Sequence, residues 1–124
     1  MNKTTLWILI AVVVIGGIVW LNVRDNGQPG KYDVFAQCLK DKGAVFYGAF
    51  WCPHCQNQKK MFGKSEKLLN YVECSTPDGK GQLQVCKDKN VTGYPTWEFA
   101  DASRLSGEIP LENLAEKTGC VLPQ

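Results

Sequence analysis

Residues 44–62 read AVFYGAFWCPHCQNQKKMF, and the fold turns on how that stretch divides. AVFYGAF (44–50) is an apolar run of strand length, which fits a strand buried in the middle of a sheet. Pro53 or His54 then opens a helix, because proline is preorganised for the first helical position. That helix is read to about Asn70, with Met61, Phe62, Leu68 and Leu69 as apolar positions and Gly63 as a weak point or kink. Cys52 and Cys55 therefore sit where a buried strand gives way to a helix.

The flanking segments extend the pattern. Upstream, Asp33 can cap a helix through Lys42, with Val34, Leu39 and Cys38 facing inward and Gly43 as its stop. Downstream, YVECS (71–75) is a second strand, TPDGKG a turn-rich loop and QLQVCKDKN a short helix. TWEFA and RLSGE form a hairpin through Asp101, Ala102 and Ser103, and Pro110 opens a last helix that Gly119 ends. The order α-β-α-β-α-β-β-α is an α/β arrangement, a central mixed β-sheet flanked by helices.

The N-terminus is of another kind. Residues 6–21 are unbroken apolar residues or glycines, and residues 4–23 are long enough to span about 30 Å as a helix. No polar stripe marks it as a buried helix, and no A-x-A-like cleavage site follows it. Trp7 and Trp20 lie near the two ends, where amphipathic rings favour the membrane interface. The expected organisation is a transmembrane signal-anchor over 1–23, a breaker-rich linker over 24–31 and one compact domain over 32–124. Lys3 beside the terminal amine, against Arg24 offset by Asp25, favours an inner-membrane, single-pass protein whose C-terminal domain faces the periplasm.

Composition narrows the function classes. With 14 Lys+Arg against 12 Asp+Glu the net charge is +2, and no basic block tracks a phosphate backbone, so nucleic acid is not an expected partner. Six cysteines in 124 residues point to disulfides in an exported domain.

Thiol–disulfide exchange needs an accessible thiolate and a second thiol near enough to close the ring. A C-x-x-C at a helix N-terminus meets both needs, since unpaired N–H groups and the positive end of the helix dipole stabilise the first thiolate. Cys52 is the expected exposed nucleophile and Cys55 the shielded resolving thiol. His54, the only histidine, adds partial positive charge that favours the reduced form and so a more oxidising pair. Zinc would need two further ligands, and the chain has no second C-x-x-C and no second histidine. Two thiolates also suit Cu(I), so a metallochaperone is the alternative from another class. No metal and no separate cofactor is expected. Tyr94-Pro95-Thr96 is a second candidate element: a cis bond there would lay its backbone beside the cysteines, although trans is the usual state.

WCPHC after an apolar strand, with GYPTWEF some forty residues later, resembles the thioredoxin superfamily. CPHC resembles the DsbA-type disulfide-donating site. FAQCL, GAVFYGAFWCPHCQ, YVEC and YPTWEFADASRL are most similar to the thioredoxin-like domain fused to bacterial vitamin K epoxide reductase homologues. The resemblance covers most of residues 33–118 and implies Cys52 as nucleophile and Cys55 as resolving thiol. It further implies that Trp51, Pro53 and His54 tune the pair and that Pro95 is the cis-proline, with Tyr94 beside it at the substrate. It implies exported cysteine-containing proteins as substrates and a quinone-linked, vitamin K epoxide reductase-like membrane partner. One departure matters: Phe46 stands where many thioredoxins hold a buried acid, and Glu98 is the candidate substitute as proton relay.

Cys74 and Cys86 flank an 11-residue segment containing Pro77, Gly79 and Gly81, and are expected to pair. Cys38 and Cys120 lie in the first and last helices of the domain, and pair if those helices share a face of the sheet. The chain is read as a monomeric disulfide oxidase. Reductase or isomerase activity on the same fold is the alternative.

Overall fold

A computed structural model describes residues 2–124. Helix α1 (Lys3–Asn26) stands apart from the rest, exposed along its described length. Its segment Lys3–Arg24 is one helix long and apolar enough to cross a membrane. The helix runs through residues 24–26, which the sequence reading gave to the linker, and ends at Gly27, two residues before Pro29.

The domain then follows in the order α2 (Asp33–Asp41), β1 (Val45–Gly48), α3 (Pro53–Phe62), β2 (Tyr71–Glu73), α4 (Gln84–Asp88), β3 (Thr96–Glu98), β4 (Arg104–Ser106) and α5 (Leu111–Thr118). Asp33 is the first residue of α2 and not its cap; its Oδ2 accepts the N–H of Gly30 at 3.0 Å, where a carboxylate also complements the helix dipole. Gly63, at φ +56°, does more than kink α3: the α-helix ends there and Gly63–Leu68 continue as a 3-10 turn. Gly119, at φ +73°, closes α5 in the left-handed conformation that glycine adopts without strain.

The sheet order is β2-β1-β3-β4, with β1 parallel to β2 and antiparallel to β3. This is a thioredoxin-like mixed four-stranded sheet flanked by helices. Alternation along β1 sorts its side chains onto two faces. Phe46 and its partners Trp97 and Tyr71 share one face, where Phe46 stacks on Trp97 at 4.9 Å between centroids. Phe35 and Leu39 of α2, Phe62 of α3 and Leu111 and Leu114 of α5 complete that core. Tyr47 turns the other way, into a smaller cluster with Cys74, Cys86 and Val91. Leu114 is completely buried, so Leu114→Ala is expected to cost about 2–5 kcal/mol, read as a lower urea midpoint at an unchanged m value.

Candidate active site

Strand β1 is too short to reach α3 directly, and residues 49–52 make the turn between them. Cys52 caps α3, with Pro53 at the first helical position, and its Sγ accepts the N–H of Cys55 at 3.3 Å. The sulfur thus satisfies one of the donors that a helix N-terminus leaves unpaired. Both cysteines are free thiols, and both are buried: Cys52 is 4 % and Cys55 1 % exposed. Cys52 is therefore less open than its place at a helix end suggests. Its Sγ is tucked against the Tyr94 carbonyl at 3.7 Å, and the half-exposed Trp51 ring packs edge-on to Tyr94 close by. Burial is the main reason that the Cys55 thiol is pushed up to about 12, reinforced by its hydrogen bond with Cys52.

Three further sequence candidates converge here. The Tyr94–Pro95 bond is cis. Trp51 Nε1 donates to Ser75 Oγ at 2.8 Å, which ties the active-site turn to the loop after β2. His54 points away from the core, and its Nδ1 stands 2.6 Å from Glu108 Oε1. Glu108 also accepts from Asn57 at 3.1 Å, and together the two contacts hold its carboxyl below the usual range. Beside Cys52, Trp51, Tyr94, Val91, Thr92 and residues 79–82 line an open groove of about 490 Å3. A larger groove of about 650 Å3 runs along α2 and includes neither free thiol.

The four remaining cysteines form two disulfides, Cys38–Cys120 and Cys74–Cys86. The first ties α2 to the segment after α5. The second closes the loop that carries Ser75 and the groove wall.

Glu98 does not reach the thiols. It pairs with Val45 in the sheet register, on the face opposite Phe46, and its carboxylate is taken by Arg104 and approached by Lys89 at 4.0 Å. Its charge acts on Tyr47, which burial and then Glu98 push upward. On the thiol side stand two residues that sequence reasoning passed over. Tyr71 Oη donates to Glu73 Oε2 at 2.7 Å, while Glu73 Oε1 accepts from the N–H groups of Ser75 and Phe50 at 2.8 and 3.3 Å. Gly48 lets this group close over the strand: a Cβ there would lie 2.8 Å from Tyr71 Cε2, 3.2 Å from Cys55 Sγ and 3.3 Å from Tyr71 Oη. Gly48→Ala is accordingly expected to cost about 1–3 kcal/mol through overpacking, measurable as a shifted urea midpoint. Gln58 was also passed over; completely buried, it brackets the backbone of Ile109 with bonds of 3.0 and 2.6 Å and locks α3 to the approach to α5.

A free C-x-x-C at a helix head, beside a cis-proline loop on a mixed sheet, can form and open a disulfide without moving the backbone far. The family model for thioredoxin matches residues 29–118 of this chain. The chain belongs to the thioredoxin family. As a thioredoxin-family member it is similar to "Thiol-disulfide oxidoreductase LTO1" of Arabidopsis thaliana, 53% identical over an aligned length of 94 residues that covers 72% of this chain and 24% of that relative. It is also similar to "Thioredoxin domain-containing protein 5 homolog" of Drosophila melanogaster, 33% identical over an aligned length of 75 residues that covers 52% of this chain and 17% of that one. The chain thus spans about a quarter or less of the length of these two relatives.

Proposed function

We propose that this protein is a membrane-anchored thiol–disulfide oxidoreductase that passes disulfides to exported cysteine-containing proteins. Cys52 is the nucleophile that meets the substrate, and Cys55 is the resolving thiol. The observation that carries this reading is the Cys52 sulfur accepting the Cys55 N–H at the head of α3, with Cys55 buried beneath it. Such a position puts the outer sulfur first in the path of a substrate and withholds the inner one from solvent. Family membership and the activity named for the Arabidopsis relative support the same chemistry. Trp51 and Tyr94, with Pro95 after it, stand beside the outer sulfur and shape the approach of a substrate chain, while His54, paired with Glu108, tunes the pair from the solvent side. The pair works without a metal or separate cofactor.

The apolar helix α1 is the anchor, the domain lies on the periplasmic side, and a quinone-linked, vitamin K epoxide reductase-like membrane protein reoxidises the pair. Support for that partner is the similarity of the WCPHC and YPTWEF segments to the domain fused to such proteins. The test is the reduction potential of the Cys52–Cys55 pair, by equilibration of the full chain in detergent micelles with glutathione. A value near −120 mV, as in strong oxidants, is expected; one near −270 mV makes the protein a reductant supplied with electrons across the membrane.

A further inference from the structure

We propose that Tyr71 and Glu73 form the proton relay that serves Cys55, taking over from the buried acid that Phe46 displaces. The proposal rests on the thiol–disulfide reading of the Cys52–Cys55 pair. Its physical basis is a problem the fold creates for itself. Cys55 must ionise to attack a mixed disulfide at Cys52, yet it is 1 % exposed among Phe46, Phe62 and Trp97, where desolvation opposes the thiolate. Solvent hydroxide alone gives it a very small ionised fraction at neutral pH. A nearby acceptor for its proton removes that obstacle.

The structure offers one acceptor chain on the right side of the sheet. In the parallel register Phe46 faces Tyr71 and Gly48 faces Glu73, so Tyr71 and Glu73 both project to the Cys55 face. The absence of a side chain on Gly48 lets Tyr71 Oη and Cys55 Sγ border the same small space. From there the Tyr71 hydroxyl leads to Glu73 Oε2, and Glu73 is only partly buried, so the chain ends near water. The titratable groups facing Tyr71 are Cys52 at the cap of α3, Cys55 and Lys59 within α3, and Glu73 from its own strand. Burial and Glu73 push the Tyr71 hydroxyl upward, which keeps it a neutral hydroxyl that receives one proton as it gives up another. The Lys59 ammonium, 3.6 Å from the Tyr71 ring centroid, adds positive charge that favours the Cys55 thiolate.

The step balances as follows. Cys55 Sγ attacks Cys52 Sγ, and a Cys52–Cys55 bond forms. The bond from Cys52 Sγ to the substrate sulfur breaks, and its electron pair leaves on that sulfur as a thiolate. The Cys55 proton passes to Tyr71 Oη as the Tyr71 proton passes to Glu73 Oε2, and the carboxyl returns it to water or to the departing thiolate. In the reverse direction the same route protonates Cys55 when a substrate thiolate opens the disulfide.

The test follows both steps by stopped flow and mass spectrometry. The reduced full chain in detergent micelles is mixed with glutathione disulfide, and formation and decay of the Cys52 adduct are timed from pH 6 to pH 9. Tyr71→Phe keeps the ring, and Glu73→Gln keeps acceptors for Phe50 and Ser75, so each variant checks the other for simple misfolding. In both, formation is expected within about twofold of wild type, with decay slowed about 100-fold at pH 7. Decay in the variants then rises about tenfold per pH unit, because hydroxide must ionise Cys55, while wild type stays nearly flat. Glu98→Gln, on the opposite face, leaves both steps unchanged. Wild-type decay rates and pH slopes in Tyr71→Phe and Glu73→Gln overturn the relay alone, as does slower decay with an unchanged slope. A wild-type chain that never forms the adduct overturns the relay together with the thiol–disulfide reading.

Discussion

Cys52→Ala is expected to slow exchange with glutathione disulfide by at least about 100-fold at pH 7, whereas Cys55→Ala should react once and stop at a stable mixed disulfide. The asymmetry comes from burial and ionisation. In the intact pair the Cys55 thiol is pushed up to about 12, a thiolate fraction of only about 10⁻⁵ at pH 7; the Cys52→Ala change removes the part of that rise due to Cys52 and leaves burial, its largest cause. Its greater basicity makes that thiolate intrinsically more nucleophilic, recovering about 1.5 powers of ten at the usual Brønsted slope. With burial alone holding the thiol up, the shortfall against a fully ionised thiol is still about 100-fold or more, before any cost of reaching a sulfur that is 1 % exposed in the intact pair. In Cys55→Ala the outer sulfur keeps its place against the Tyr94 carbonyl, but no second thiol is present to expel the adduct. Mass spectrometry of the quenched chains reads both outcomes directly. Near wild-type adduct formation in Cys52→Ala contradicts the assignment of nucleophile.

What made this site legible in the sequence was local chemistry. An apolar run meeting a proline-started helix places Cys52 and Cys55 at the helix head without any tertiary information, and the turn residues 101–103 mark the hairpin. The side of the sheet was legible only in part. Glu98 follows Pro95 closely enough to invite a role beside the thiols, but a strand reverses its face at each residue. Trp97, one residue earlier, takes the thiol side, and Glu98 takes the other.

Tyr71 and Glu73 were hidden for the complementary reason. YVEC reads as a strand, but which of its side chains meets Cys55 depends on the parallel register with β1, which sequence pattern alone does not fix. Glu108 is further removed still, since its contact with His54 joins positions 54 residues apart. The near-complete burial of Cys52 had no sequence signal, because the cover comes from the loop around Tyr94. Local spacing carries the chemistry of the pair, and the long-range contacts carry what surrounds it.

The two disulfides should divide between them stability and the shape of the site. Cys38 and Cys120 are 82 residues apart and Cys74 and Cys86 only 12. In the chain-entropy description the constraint on the unfolded chain grows with the logarithm of the loop. It is worth about 4.5 kcal/mol for the longer link and about 2.8 kcal/mol for the shorter. The short loop lies inside the long one and shortens it by a small fraction, to which a logarithm is insensitive. Paired alanine substitutions at Cys38 and Cys120 should therefore give the larger fall in the urea midpoint, followed by tryptophan fluorescence of the full chain in micelles. Reactivity should follow the opposite order. Cys74–Cys86 frames the loop whose Ser75 holds Trp51 and whose residues 79–82 line the groove beside Cys52. Cys38–Cys120 joins α2 to the segment after α5 and contributes nothing to the groove lining or to the Trp51 contact. At a urea concentration where all variants remain folded, alanines at Cys74 and Cys86 should slow reaction with a cysteine-containing peptide while those at Cys38 and Cys120 leave it near wild type. Equal midpoint losses refute the entropic account of the long link; equal peptide rates show that the groove keeps its shape without the short one.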